Sequence, residues 1–389
     1  MYQTSDEVAE AILSHSRTWR IRLEEVGGGI VIMGDEITNA EGDHSSTTTT
    51  DDIELGAICA AGWTITTSRQ GEYVGKRFKL YLYLLDLEEG TTTLGDLYPY
   101  TIAELSGMTL GELYHTGHMV GEPIPMGVFT CVKAPRCGDG RELHLYDKLY
   151  FTDKPYSPTI NLPALASAVE QDICNQLGID NATSEHVGGF VELPASWSYR
   201  YTGFAEESGG GFLHTAPFDF TIDAMPTDGA TMREMLGYIA AIHGQFGCID
   251  RLGRYMRRWY APQSLATIDS DHADEPTVSE TKNYIVGIRC MTENGELTAG
   301  YMTGGRVLEM ENPFMTQTLI RAVLVQVKRM SWYTAQVCER LGDPRHDIGD
   351  TVTIESGGED YDIPITTIQF SFDGGLLANV SAAGLTEEE

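Results

Sequence analysis

Positive charge is scarce in this chain. It carries 26 Lys and Arg against 57 Asp and Glu, a net charge of −31 over 389 residues. So acidic a molecule cannot hold a phosphate backbone through its overall field. General nucleic-acid binding is thereby excluded, and DNA passing nearby would be repelled. Long apolar runs are also missing, and none approaches the roughly 18–20 residues of a membrane-spanning helix. Met1 to Glu10 has neither a basic start nor an apolar stretch, so no secretory leader is expected. The cysteines, Cys59, Cys131, Cys137, Cys174, Cys248, Cys290 and Cys338, are odd in number and widely spaced. That excludes a disulfide framework and suits reduced thiols made in a cytoplasm.

Catalytic and metal-binding patterns are lacking as well. His115 and His118 have no third ligand at metal-site spacing, and Gly117 between them argues against a helix, so they read as loop histidines. Cys131, Cys137 and His144 lack the paired C-x-x-C of a structural zinc site. Asp269, Asp271, Asp274 and Glu275 lack the central glycine and distal glutamate of a calcium loop and read as an acidic linker. Gly209 to Gly211 follow no strand and precede no lysine, unlike a phosphate-binding loop. No G-x-S-x-G, H-E-x-x-H or Cys/His signature occurs. Pairs such as Glu88-Glu89 and Glu206-Glu207 have nothing beside them to separate their acidities. The expectation is a chain with no catalytic residue, metal or cofactor.

What is present is glycine (42 residues), 42% hydrophobic content, and short segments rich in Thr, Tyr, Ile and Val. These describe a β-rich globular protein with many turns, long enough for two or three domains. Trp19, Ile21 and Leu23 alternate with Arg20, Arg22 and Glu24, which predicts a strand with one buried face; Gly27 to Gly29 turn it into a partner at Ile30–Met33. Further strands are expected over 53–67, broken at Gly62, over 76–87, and as a hairpin of 127–132 with 142–146.

After Pro155 the pattern becomes helical. Leu165, Val169, Ile173 and Leu177 repeat every four residues, with Pro163 in the first turn and Gly178 as the stop. Thr231 and Glu234 form a capping box ahead of Met235, Ile239, Ile242 and Phe246. Residues 248–256 read as a hairpin, and 261–280 as a linker or exposed loop. Strands return over 281–310, with hairpin turns at Asn294-Gly295 and Gly304-Gly305. Asn312-Pro313 is expected to start a helix with Leu319, Val323, Val327 and Met330 on one stripe, more core than cofactor box. A strand over 331–340 then enters L-G-D-P-R-H-D-I-G-D-T-V-T-I from Leu341 to Ile354, where Gly342, Pro344 and Gly349 are the turn-setting residues. Asp343, His346, Asp347 and Asp350 stand in the same stretch, which is read as shaped for a turn rather than for chemistry.

Three stretches together resemble the baseplate hub or tail-tip proteins of long-tailed bacteriophages and prophages. They are Leu145 to Tyr156 with the helix around Val169 to Cys174; Thr231 to Ala240 with Gly247 to Arg254; and Asn312-Pro313-Phe314 with its helix, on to Gly342-Asp343-Pro344 and Gly349 to Ile354. The resemblance covers roughly residues 133–383; before that only strand character is shared.

The resemblance implies an α+β, mainly β chain. Two β-barrel-like domains, 1–156 (with a turn-rich insertion near 90–125) and 263–389 (with the helix near 312–330), would flank an α+β domain at 157–262. It implies a homotrimeric ring at the distal end of a phage tail, continuing and closing the tail tube and opening for DNA on host contact. The expected partners are the distal tail protein, tail tube proteins, the tape measure protein and a separate receptor-binding or fibre protein. The expected location is the virion, after assembly in the host cytoplasm. Strands carrying Phe78, Leu82, Ile368 and Phe370 are the expected subunit contacts. The alternative reading is a tail-tip adhesin for cell-wall polysaccharide, using Trp197, Tyr199 and Tyr201; an endopeptidase is a weaker third.

Overall fold

The structure, a computed structural model, describes residues 1–14, 17–49, 52–86, 118–183, 220–269, 271–373 and 375–383. A short helix, α1 (Asp6–Ile12), is capped by the Ser5 hydroxyl. The first β region then runs through β1 (Arg17–Glu25), β2 (Val31–Met33), β3 (Ile37–Ser45), β4 (Gly62–Thr67), β5 (Arg77–Asp86), β6 (His118–Lys133), β7 (Arg136–Cys137) and β8 (Gly140–Tyr146). The middle of the chain holds β9 (Ala164–Leu165), α2 (Ala166–Leu177), β10 (Thr221–Ile222), α3 (Met232–Ile242), β11 (Phe246–Ile249) and β12 (Tyr255–Arg258). The last part comprises β13 (Ala266–Ile268), β14 (Thr277–Thr292), β15 (Gly295–Gly300), β16 (Arg306–Glu311), α4 (Gln317–Val327), β17 (Ser331–Glu339), β18 (Thr351–Ser356), β19 (Glu359–Pro364), β20 (Thr367–Phe372) and β21 (Leu376–Ala382).

The chain is mainly β, with helices set between and beside the sheets, and the class is α+β. No closed barrel forms among the described residues; the two β regions instead share one sheet of fourteen strands. Its path runs β15-β14-β17-β21-β20-β3-β4-β8-β6-β5-β1-β2, with β16 joining β14 and β7 joining β8. The seam is the antiparallel pair β3–β20, from Ala40 opposite Phe372 to Ser45 opposite Thr367. Each half thus covers an edge that the other would leave open, and unpaired backbone at an edge is what a sheet must hide. Across the seam Trp63 stacks on Phe370 with ring centroids 5.9 Å apart. One apolar core runs from Val8 and Ile12 to Val380 and Ala382. A second, smaller core lies between α2 and α3, around Val169, Ile173, Met235, Leu236 and Ile239.

Local signals held where the sequence carried a physical stop or start. Thr231 and Glu234 form the expected capping box, and Gly178 ends α2 in the left-handed region at φ 67°. Gly27, at φ 72°, opens the turn between β1 and β2. Six expectations differ. Phe246, expected on the face of the Thr231 helix, opens β11, because α3 ends at Ile242. Residues 261–280, expected as a linker or exposed loop, hold β13 and the start of β14. Residues 53–59 make only a single bridge, Ile58 with Gly247, because Gly56 and Gly237 bring this loop's backbone onto α3; a methyl on Gly237 would sit 2.8 Å from the Gly56 carbonyl. Gly62 opens β4 rather than breaking a strand. Gly304-Gly305 is not a hairpin turn, since β16 runs parallel to β14 instead of back along β15. The helix expected from Asn312 begins at Gln317 with Thr316 as its cap; the buried Asn312 spends its side chain on the Phe314 N–H and the Tyr238 carbonyl. Of the insertion expected near 90–125, residues 118–125 belong to β6 and the rest lies outside the described residues.

Candidate functional site

The stretch from Leu341 to Asp350 crosses from β17 to β18, and its shape comes from close backbone approach. The Gly342 N–H donates to the Leu376 carbonyl at 3.0 Å, and a methyl on Gly342 would lie 2.7 Å from the Leu377 carbonyl carbon. Gly349 sits at φ 84°, and a methyl there would be 2.7 Å from Arg258 Nε. Pro344 offers its carbonyl to Arg251 Nη2 at 2.8 Å.

These turns bring Asp347 and Asp350 against partners far away in sequence, and pair Asp343 and His346 with neighbours a few residues off. Arg251, from the loop between β11 and β12, donates Nε to Asp347 Oδ1 at 2.9 Å, Nη1 to the Pro125 carbonyl at 3.0 Å, and Nη2 to the His346 carbonyl at 3.0 Å. Its guanidinium carbon also lies 5.0 Å from the Tyr2 ring centroid. Arg258 Nη2 pairs with Asp350 Oδ1 at 2.9 Å, the Met1 amine approaches the same oxygen at 2.6 Å, and Asp350 is 0% exposed. Asp350 Oδ2 accepts from the Asp347 N–H. Glu339, at the end of β17, holds His346 Nε2 at 3.1 Å and accepts from the Asp343 N–H at 2.9 Å, while Asp343 pairs with Arg345 at 2.7 Å.

The charges set one another. Burial pushes the His346 imidazole down, but the Glu339, Asp343 and Asp350 carboxylates outweigh it and lift it to about 9. Burial works against the Asp347 carboxylate, yet Arg251, Arg258 and the terminal amine hold it below its usual range. Asp343 is lowered likewise, by His346 and Arg345 against its burial. The cluster is a clamp rather than an acid–base pair, because its carboxylates are engaged by guanidinium, imidazole or amine groups. A second buried pair, Arg257 with Glu170 at 2.7 Å, fixes the same hairpin to α2.

Arg251, Arg258, Glu339 and Met1 were not singled out from sequence. One signal was there: four of the 26 cations, Arg251, Arg254, Arg257 and Arg258, fall within eight residues of an acidic chain. All four meet a carboxylate.

Phe78, Leu82, Ile368 and Phe370 are at most 2% exposed and fill the chain's own core. These side chains therefore offer no surface to a neighbour. The remaining candidates do not converge. His118 lies in β6 and His115 outside the described residues. Cys131 is buried, Cys137 exposed, and His144 meets Glu142 at 2.9 Å. Asp274 pairs with Arg340 at 2.9 Å. Among the described residues no group of three or more His, Cys, Asp or Glu is placed to hold a metal ion. No described helix is long and apolar enough to cross a membrane. Trp197, Tyr199, Tyr201 and Gly209 to Gly211 lie outside the described residues.

No protein-family model matches the sequence, and no curated protein matches it. The fold does have solved counterparts. A tail protein from Neisseria meningitidis is 11% identical, with 94% of this chain covered, 96% of that chain, and a TM-score of 0.52. The 43 kDa tail protein of prophage MuSo2 from Shewanella oneidensis is 14% identical, with 94% and 98% covered and a TM-score of 0.50. At such low identity the likeness is one of fold, and the fold of this chain is that of these two tail proteins.

Proposed function

We propose that the chain is a non-enzymatic structural subunit of a phage tail, the baseplate hub at its distal end, assembled as a homotrimeric ring that continues and closes the tail tube. The observation that carries this reading is the fold shared with two tail proteins along almost their whole length. In this role the subunit meets the distal tail protein and tube proteins on one side. The tape measure protein ends against it, and a separate fibre or receptor-binding protein supplies host recognition. DNA passes through without specific binding, as a net charge of −31 favours. The ionic clamp suits a part that bears load, because it ties the N-terminus, the middle hairpin and the β17–β18 crossing into one body.

Light scattering on the purified full chain, with negative-stain images of the same sample, tests this. The expected result is the mass of three chains and a ring with a central opening. A chain that stays monomeric at all concentrations, or that assembles without an opening, would overturn it.

A further inference from the structure

Strand β5 has two characters. Phe78, Leu80, Leu82 and Leu84 point into the core. The alternate residues Arg77, Lys79, Tyr81 and Tyr83 stand on the opposite face, because successive side chains in a strand change sides. In the register with β1, Tyr81 lies opposite Arg22 and Tyr83 opposite Arg20. Glu24, which pairs with Arg22, is the acidic residue of that row. The edge strand β2 adds Val31 and Met33, 37% and 50% exposed. A chain with twice as many carboxylates as cations thus gathers four cations and two tyrosines on one sheet face.

The β18–β19 hairpin is the reverse. Its turn is Gly357-Gly358, both at positive φ, and Glu355, Glu359, Asp360 and Asp362 around it are exposed. Glu355 stands directly opposite Asp360. Like charges facing each other across an antiparallel pair destabilise it. Among the described residues no cation pairs with Glu355 or Asp360, so the hairpin gains nothing within its own chain from this arrangement. Local conflicts of this kind are expected at functional or strained sites.

We infer that the acidic β18–β19 tip of one copy docks on the cationic, tyrosine-bearing outer face of β1 and β5 of a second copy. Both halves of the contact are in every chain, which makes a second copy the matching partner. Within one chain they are far apart along the sheet: Tyr361 of β19 packs on Tyr333 of β17, and β17 lies seven positions from β5. At about 4.8 Å per strand that path is roughly 30 Å. A contact between two different patches is head-to-tail, the kind that closes into a ring. The inference rests on the ring reading and names the surfaces that would build it.

The test uses full-length chains in analytical ultracentrifugation. Arg20→Glu with Arg77→Glu (Arg20 faces Tyr83 across the strands, whereas Lys79 faces Glu24), and separately Glu355→Lys with Asp360→Lys, should each weaken self-association at least tenfold while leaving the urea midpoint unchanged. All four substitutions in one chain should restore association, since the charges are then exchanged rather than removed. Added salt should weaken the wild-type contact. If the wild type associates and both double variants associate equally well, this contact is overturned and the ring survives. A monomeric wild type would overturn both.

Discussion

At the scale of single residues, the β11–β12 hairpin and the charges that hold it make three measurable demands. His346 is held near 9 in the folded chain against 6.5 when free. The imidazolium therefore favours the folded state: its contribution is complete below pH 6.5 and is lost as pH rises through 9. A shift of that size corresponds to about 3 kcal/mol. Urea midpoints should fall between pH 6.5 and 9 in the wild type, and Glu339→Gln should flatten that fall. Arg257→Ala leaves Glu170, 2% exposed, without its cation. Stranding a buried charge costs about 3–5 kcal/mol, to be read from equilibrium unfolding. Gly349→Ala forces a methyl against Arg258 and Phe246 at a positive φ, and a loss of more than about 1 kcal/mol is expected in the same measurement. The turn residues were legible because Gly and Pro act through local backbone geometry. The guanidiniums that meet the aspartates were not, because a pairing between residues about a hundred positions apart leaves no local trace.

Elements are where sequence reading carried furthest. A strand with alternating Trp19, Ile21 and Leu23, and helices with caps at Thr231 and Gly178, announce themselves within a few residues. Thr231→Ala should destabilise the chain by about 1 kcal/mol, since its hydroxyl accepts the Glu234 N–H and Glu234 reciprocates; thermal melts should show the loss, and Thr231→Ser should keep most of the stability. The readings that differ share a cause. Asn312-Pro313 has the look of a helix start, yet Asn312 is taken by the Tyr238 carbonyl of α3. Gly304-Gly305 looks like a hairpin turn, yet the next strand is parallel to β14. In each case a partner outside the local window decided.

For the whole molecule, the seam between β3 and β20 changes what a core substitution can report. Phe370 stacks on Trp63 inside the chain, so Phe370→Asp buries an unpaired charge in the core that both β regions share. The expected outcome is loss of the folded chain, seen as a collapsed urea transition, rather than a folded monomer. The charge-reversal pairs on the outer face and the acidic hairpin are the substitutions that separate assembly from folding. By itself the sequence determined the mainly β class, the two capped helices, the turn at Leu341 to Asp350 and the acidic field, because each depends on residues within a turn or two or on composition alone. Only the tertiary structure decided that, among the described residues, the two β regions join in one sheet and close no barrel. It also decided that Asp347 and Asp350 belong to a clamp, and that the apolar side of β5 is interior while its charged side is half-buried, with Lys79 exposed. Those outcomes depend on which distant strands pair and which face meets them, and strand alternation defines two faces without saying which one the rest of the chain will cover.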